Sequence, residues 1–237
     1  MDEPLGFALH LDVAKFFPSI DHEILLGQLA RDIPCARTVA LCSTILDGGR
    51  ALAAGTRWHF PGDDLFTPLS RRTGVPIGNL TSQHFANRYL SPVDHRATDR
   101  LGIRAYLRYM DDMLLFGDDR AQLQDWGHAI EEACWRQRLR LHPWQVVPVR
   151  QGVTWLGFRL RPGEVRVKRT SVLRAKKRLA LLLAEASADP AAWERFLMSL
   201  RSTFAHWAHG DAWRLRKQTL EELGVFYDEN DDLSGNG

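Results

Sequence analysis

The sequence predicts an α+β fold, in which an antiparallel sheet packs with helices and a helical region follows. Short apolar runs rich in β-forming residues occur at 7–13 and 103–116. Between and after them, apolar residues recur at the three- and four-residue spacing of amphipathic helices. The composition shifts near residue 160, beyond which helical spacing dominates.

The first elements follow from local pattern. FALHLDV, residues 7–13, predicts a strand that ends near Asp12. DHEILLGQLARDI predicts a helix with Asp21 as its N-cap, because an aspartate side chain accepts hydrogen bonds from the first free N–H groups. ARTVALCSTILDGG predicts a second helix that ends at Gly48, and residues 49–74 lack a clear period and predict an irregular segment.

The middle of the chain predicts a helix and then a hairpin. The apolar stripe of the helix NLTSQHFANRYLSPVDHRAT consists of Leu80, Ala86, Tyr89, Leu90 and Val93. Two apolar segments, Ile103–Met110 and Met113–Phe116, flank Asp111 and Asp112, which predicts a hairpin with the acidic pair at its tip. An amphipathic helix, LQDWGHAIEEACWRQRL, and short strands follow.

The C-terminal third predicts helices. Gly210 is expected to end one helix, Asp211 to cap the next, and Gly224 to end that one. Residues 161–178 hold eight Lys or Arg against one Glu, which favours either a phosphate-binding surface or a solvated basic helix. Residues 228–237 are acidic and rich in Gly and Asn, and predict a disordered tail.

Composition excludes several classes of protein. The 237 residues suit one large domain, or one domain with an appendage, and the net charge of +2 is uninformative. Three cysteines without a CxxC pair argue against a disulfide framework and a cysteine zinc site. No signal peptide and no apolar run of roughly 18 residues is present, so a cytoplasmic protein without a membrane partner is expected.

Adjacent aspartates occur at 63–64, 111–112, 118–119 and 231–232. Charged residues usually lie at the surface, and three of the pairs are interpreted in that way. The pair Asp111–Asp112 differs, because apolar sequence encloses it and two close carboxylates raise each other's pKa unless a cation is present. With Asp12 and the backbone carbonyl of Val13, it would supply oxygen ligands for a divalent cation. The pattern alone leaves open a two-metal phosphoryl-transfer site and a solvated hairpin tip.

Four segments in this order resemble motifs of bacterial reverse transcriptases. They are LDVAKFFPSIDH (11–22), GVPIGNLTSQHFANRYL (74–90), LRYMDDMLLF (107–116) and GVTWLGFRL (152–160). Many group II intron enzymes read Q-G-x-x-x-S-P in the second motif. This chain reads I-G-x-x-x-S-Q there, which resembles the enzymes of diversity-generating retroelements. The resemblance implies a palm over residues 1–160, with a primer-grip hairpin near 152–160, and a helical thumb over 161–227.

The resemblance also implies a role for each matching residue. The catalytic carboxylates would be Asp12, Asp111 and Asp112, which with Val13 would bind Mg²⁺ or Mn²⁺. Phe17 would be the aromatic gate that excludes a ribose 2′-hydroxyl, although one ring of the Phe16–Phe17 pair is expected to pack inward. The other nucleotide-pocket residues would be Ile77, Gly78 and Gln83; Gln83 alternatively caps the helix start. The primer grip would be Trp155, Leu156, Gly157 and Phe158. The nucleic-acid contacts would come from Arg169, Arg174, Lys176, Lys177 and Arg178.

Two departures from the family pattern affect the expected activity. The chain begins almost at Asp12, so the family's basic fingers segment is expected upstream. The segment HPWQ has Trp144 and Gln145 where the family often carries a lysine that helps to protonate pyrophosphate. His142 is a possible substitute, since imidazole is a competent acid near neutral pH. The chain alone is therefore expected to be a weak polymerase or an inactive one.

The implied activity is RNA-directed DNA polymerase. Its partners would be an RNA template, a DNA primer, dNTPs and a fingers segment or accessory protein. A rival interpretation is a non-catalytic module that binds RNA or an RNA–DNA hybrid. An RNA-dependent RNA polymerase is a third, against which Phe17 argues.

Overall fold

The computed structural model describes residues 6–48, 58–76, 78–186 and 190–225. Its contacts group the chain into two compact units that divide after Pro148. The sequence predicted a boundary at residue 160. In the contact grouping, the hairpin of residues 152–160 pairs with a further strand and lies in the C-terminal unit; the division into palm and thumb stays a prediction. The tail predicted at 228–237 lies outside the described residues.

An antiparallel sheet forms the centre of the N-terminal unit. Its strands are β1 (Phe7–Asp12), β2 (Tyr106–Tyr109), β3 (Asp112–Gly117) and β4 (Val146–Pro148), in the spatial order β2-β3-β1-β4. Leu9, Leu11, Met113 and Leu115 of the two central strands are fully buried. The predicted α+β fold, the strand at 7–13 and the hairpin around the acidic pair are confirmed.

Helices surround this sheet. They are α1 (Phe16–Ser19), α2 (His22–Asp32), α3 (Ala36–Asp47), α4 (Thr67–Ser70), α5 (Leu80–His95) and α6 (Arg120–Arg136). As predicted, the Asp21 side chain caps α2 by accepting from the backbone N–H groups of Glu23 and Ile24, and α3 ends at Gly48. Helix α6 packs on β1 and β3, and α5 continues into a π-helix, Arg96–Arg100.

One residue of the apolar stripe predicted for α5 is misplaced. The four stripe residues that are buried are Ala86, Tyr89, Leu90 and Val93. Leu80, in contrast, is 74% exposed, because it opens the helix and its first turn extends past the core. Helical spacing therefore identified the face of the helix but not the length over which the core covers it.

The outer aspartate pairs differ in their surroundings. The surface prediction is wrong for Asp63, which forms an ion pair with Arg71; their side chains are only 6% and 9% exposed. The pair at 118–119 is exposed as predicted, whereas the pair at 231–232 lies outside the described residues. The segment predicted as irregular, 49–74, is described only from residue 58 and contains α4.

The C-terminal unit contains a small antiparallel sheet and three long helices in its described part. They are β5 (Val153–Trp155), β6 (Phe158–Arg161), β7 (Glu164–Val167), α7 (Arg169–Ala186), α8 (Pro190–Trp207) and α9 (Trp213–Leu223). Phe196 and Trp207 lie in the centre of a separate hydrophobic core. Asp211 was predicted to cap α9, but its carboxylate instead accepts from the N–H of Val165, and Ala212 precedes the helix. Gly224 ends α9 as predicted.

The described helices are not membrane-spanning: none combines the length with the apolar character that a bilayer requires.

Candidate active site

Strand pairing brings three aspartates to one end of the N-terminal sheet. Asp12 is the last residue of β1 and lies directly opposite Asp112, the first residue of β3. Asp111 occupies the turn between β2 and β3, and its carbonyl accepts a hydrogen bond of 3.3 Å from the N–H of Val13. Residues about 100 positions apart in the chain are thereby held together by backbone pairing, as predicted from the strand end and hairpin tip.

The turn that carries Asp111 has an unfavourable backbone conformation. Met110 has a φ of +55°, in the left-handed region that non-glycine residues rarely adopt. Such a conformation persists where the surrounding structure determines it, and it is often found at functional sites. Tyr109 and Asp112 are opposite partners, so the turn consists of the two residues Met110 and Asp111.

The site carries an excess of negative charge. Partial burial raises the pKa of Asp12, and the neighbouring Asp112 carboxylate raises it further, against the opposing effect of two histidines. Partial burial is also the main cause of the raised pKa of Asp111, to which both Asp12 and Asp112 add. A cation bound here would relieve both the desolvation and the mutual repulsion.

Two histidines border the acids. The Nε2 of His10 lies 2.8 Å from Oδ1 of Asp112, and it is the donor when the carboxylate is ionised. The Nε2 of His142 lies 4.0 Å from Oδ2 of Asp12, while the backbone N–H of His142 donates to the Asp12 carbonyl. Sequence reasoning missed His10. The signal was present, since residues two apart on a strand share a face and His10 precedes Asp12 by two.

The donor set fits a divalent metal ion chemically. Asp12 and Asp111 offer carboxylate oxygens, which hard cations such as Mg²⁺ prefer, and partial burial and the neighbouring carboxylates raise the pKa of both. Asp112 is already engaged by His10 through one oxygen. Within the described ranges, no three His, Cys, Asp or Glu side chains are grouped closely enough to enclose an ion. The metal role of Asp12, Val13, Asp111 and Asp112 therefore stays a prediction.

The predicted nucleotide-pocket residues are only partly brought together. Phe17 is half-buried, with its ring centroid 5.5 Å from that of Phe16, which is the inward-packed member of the pair. The carbonyl of Phe17 accepts from the N–H of Val75, which ties α1 to the start of the second motif. Ile77 lies outside the described residues.

The structure shows different constraints on the two remaining residues of the predicted nucleotide pocket, Gly78 and Gln83. Gly78 has a φ of +85° and open space where a Cβ would be, so the backbone conformation alone favours glycine there. Gln83 is exposed on α5, and Asn79, not Gln83, caps that helix by accepting from the N–H of Thr81. The capping role suggested for Gln83 is therefore wrong, and its role in the nucleotide pocket stays a prediction.

Trp144, at the position where the resemblance expects lysine, is a packing residue. Its ring lies against Gly127 of α6, and the rings of Trp144 and His128 meet edge to face at 5.0 Å. It belongs to the residues that pack on the N-terminal core. His142 is the nearby basic side chain that does face the acids.

The predicted primer-grip segment forms a tight turn in the C-terminal unit. Leu156 and Gly157 both have positive φ, 47° and 86°, and join Trp155 of β5 to Phe158 of β6. This is the two-residue hairpin geometry that matches the twist of the strands. The ring of Phe158 lies 4.8 Å from that of His206 on α8, and the Trp155 indole N–H is buried without a partner.

The predicted basic contacts do not share one environment. On α7, Lys176 forms an ion pair of 2.7 Å with Glu222 of α9, and Arg178 donates to the Thr203 hydroxyl. Arg169, Arg174 and Lys177 are exposed. The surface prediction is thus divided: some of these side chains hold α7 against its neighbours, and others face solvent.

The family match covers the part of the chain that contains the four sequence motifs. Residues 6–160 match the family model described as reverse transcriptase (RNA-dependent DNA polymerase). No curated protein matches the chain. Telomerase from Candida albicans, in complex with a fragment of telomeric RNA, is 14% identical with a TM-score of 0.47, and apo telomerase from Candida tropicalis is 11% identical with a TM-score of 0.47. The alignments cover 94% of this chain but 41% and 46% of those chains, so it spans less than half their length. Since the matched family model covers residues 6–160 of the 237, the chain belongs to the reverse transcriptase family.

Proposed function

We propose that this chain is the palm and thumb of an RNA-directed DNA polymerase. The reaction is attack of a primer 3′-hydroxyl on the α-phosphate of a dNTP, directed by an RNA template. The observation that carries the proposal is the convergence of Asp12, Asp111 and Asp112 at paired strand ends, with raised pKa values for the first two. The I-G-x-x-x-S-Q sequence of the second motif supports a bacterial enzyme related to those of diversity-generating retroelements.

The carboxylates have distinct roles in this proposal. Asp12 and Asp111, with the Val13 carbonyl, hold divalent metal, and Asp112 is the adjacent carboxylate that His10 orients. Bound Mg²⁺ or Mn²⁺ supplies activation of the attacking oxygen and charge stabilisation at the phosphate. His142, whose Nε2 lies 4.0 Å from Asp12, takes the role of proton donor to the leaving pyrophosphate in this proposal.

Substrate and primer are held by the remaining residues. Phe17 excludes the ribose 2′-hydroxyl, and Ile77, Gly78 and Gln83 line the nucleotide pocket. The turn of residues 155–158 holds the primer end. The exposed basic residues Arg169, Arg174 and Lys177 of α7 contact the phosphates of the RNA–DNA hybrid, and each such contact releases condensed counterions.

Metal binding provides the first test. Mn²⁺ is titrated into the wild type, Asp111→Asn and, as a matched control, Asp125→Asn, whose side chain is exposed on α6. The wild type and Asp125→Asn are expected to bind alike, and Asp111→Asn to bind at least about tenfold more weakly. Equal binding by all three would show that the metal site is elsewhere.

The alternative function is hybrid binding without catalysis. It is favoured by the lack, within the described ranges, of an acidic or histidine cluster already closed around an ion. Extension of a primed RNA template in dNTPs and Mn²⁺ distinguishes the two. Polymerase activity that Asp111→Asn abolishes supports the enzyme. Hybrid binding with no extension under any metal, even when a reverse transcriptase fingers segment is supplied, supports the binding module.

A further inference from the structure

Arg108 of β2 makes two parallel contacts with a helix behind the sheet. Its Nε and Nη2 donate to the two carboxylate oxygens of Asp94 on α5, at 2.7 and 2.6 Å. The Arg108 side chain is only 13% exposed. Tyr106 also donates to Asp94, at 2.8 Å, so the carboxylate is held from two positions of the same strand. A paired guanidinium–carboxylate contact fixes direction as well as distance.

The third guanidinium nitrogen of Arg108, Nη1, contacts the turn that carries Asp111. Its Nη1 donates to the carbonyl oxygen of Met110 at 2.9 Å, and a second contact of 3.2 Å joins it to Asn87 of α5. A single side chain thus connects α5 to the backbone next to Asp111. The guanidinium group is planar and rigid. The contacts of Nε and Nη2 with Asp94 therefore also fix where Nη1 lies, and Nη1 holds the Met110 carbonyl oxygen.

This contact falls at the strained residue of the turn. Met110 adopts the left-handed conformation, which needs support from surrounding groups to persist. Its carbonyl belongs to the peptide plane that leads into Asp111, so holding the carbonyl fixes that plane. The orientation of this peptide plane in turn sets the position of the Asp111 Cα, and so the direction in which its side chain leaves the backbone relative to Asp12.

We propose that Arg108 is a positioning residue of the acidic site, which acts by holding the Met110–Asp111 peptide in place. The inference rests on the proposed function, since positioning Asp111 matters for a metal-dependent site. Asp94 is the anchor that makes the hold rigid. Lysine could not replace Arg108, because it is a single point donor without the planar fork.

The chain offers a matched control on the same helix. Arg88 of α5 makes a paired contact with Asp32 at the end of α2, and among the described residues it has no hydrogen bond to the acidic turn. Arg88→Ala therefore removes an arginine–aspartate pair from α5 without touching the acidic turn. Any effect of Arg108→Ala that Arg88→Ala lacks belongs to the link with Met110.

The first readout is the turn itself, followed by NMR of ¹³C-methyl methionine. Arg108→Ala is expected to shift or broaden the Met110 methyl signal, whereas Arg88→Ala leaves it unchanged. Removing Arg108 alone leaves Asp94 with the Tyr106 hydroxyl but without its cationic partner, and so lowers stability. The double variant Arg108→Ala with Asp94→Ala removes both charges, so it keeps the experiment valid if the single variant fails to fold. An unmoved Met110 signal in a folded variant would overturn the inference.

The second readout is the affinity for Mn²⁺. Groups that orient a metal ligand typically alter affinity by tenfold or more, so Arg108→Ala is expected to bind Mn²⁺ about tenfold more weakly than Arg88→Ala. A shifted Met110 signal with unchanged affinity would also reject the positioning role. If the wild type itself lacks a site that depends on Asp111, the proposed function fails, and the Met110 signal still decides whether Arg108 holds the turn.

Discussion

Asp12 and Asp111 lie in surroundings that oppose ionisation of their carboxyl groups. Burial and mutual repulsion raise the pKa of each above its ordinary value. A carboxyl group whose pKa is higher in the folded state contributes stability at low pH. That stability is lost as the pH rises through the folded-state pKa. The free protein at neutral pH therefore carries an unfavourable term at this site, which a bound cation would remove.

Asp111→Asn is expected to stabilise the metal-free protein at pH 7. Asparagine keeps the shape but removes the repelling charge, so the free energy of unfolding should rise, by at most about 1 kcal/mol because the site is open to solvent. The gain should fade as the pH falls through the raised folded-state pKa of Asp111, and it should be absent below about 4, the ordinary pKa of an aspartate in the unfolded chain. Thermal unfolding in EDTA at both pH values, with Asp125→Asn as control, measures this. A less stable Asp111→Asn at pH 7 would contradict the electrostatic account.

At the scale of elements, β1 and β3 position the acids, and α6 supports β1 from behind. The close approach of α6 depends on Gly127. A Cβ there would lie 2.6 Å from Cη2 of Trp144 and 3.0 Å from the Leu9 side chain. The tryptophan at the position where lysine was expected is thus accommodated by a glycine in the facing helix.

Gly127→Ala is expected to destabilise the protein. Alanine favours the helix by up to about 1 kcal/mol, but overpacking a core costs about 1–3 kcal/mol. The same change at Gly27 of α2 is the control. A Cβ at Gly27 meets no atom within 4 Å, so alanine should stabilise there by about 0.5–1 kcal/mol. Urea unfolding of both variants compares them, and equal gains would mean that Trp144 moves aside without cost.

Helix α7 has exposed basic residues beside others that hold the unit together. If Arg174 and Lys177 contact phosphates, replacing both with alanine should weaken hybrid binding for all sequences alike. It should also lower the log–log salt dependence by roughly one unit per lost contact. Lys176→Ala, whose side chain pairs with Glu222, should leave the slope nearly unchanged. Binding isotherms at several salt concentrations test this. An unaltered slope in the double variant would favour the alternative interpretation, in which α7 is a solvated basic helix.

At the scale of the whole molecule, the acids and the basic helix belong to different compact units. Each unit has its own hydrophobic core. Chemistry and nucleic-acid binding are therefore expected to respond to different substitutions.

Asp111→Asn should reduce primer extension by about 10²-fold or more while hybrid binding stays unchanged, since losing one charge-stabilising group in an active site typically has an effect of that size. Replacing Arg174 and Lys177 should do the reverse: it should weaken hybrid binding, most strongly at low salt, where phosphate contacts contribute most. Fluorescence anisotropy and single-turnover extension on the same hybrid separate the two. Parallel loss of both properties in Asp111→Asn would count against this division.

The sequence by itself determined the features that depend on neighbouring residues. Asp21 before an apolar helix, the apolar segments around Asp111 and the left-handed Gly224 each act within one turn or hairpin, so their patterns are readable locally. The four ordered motifs likewise predicted the family that the match over residues 6–160 shows. The roles predicted for individual site residues stay predictions.

Only the tertiary structure decided the contacts between distant parts of the chain. His10 meets Asp112 from 102 positions away, and Arg108 reaches past its own strand to Asp94 and the Met110 carbonyl. The Asp63 side chain is largely covered because it pairs with Arg71, although its sequence is typical of a surface turn. The packing of strands and helices determines which distant residues meet. The sequence around a charged residue contains no local pattern that identifies its partner.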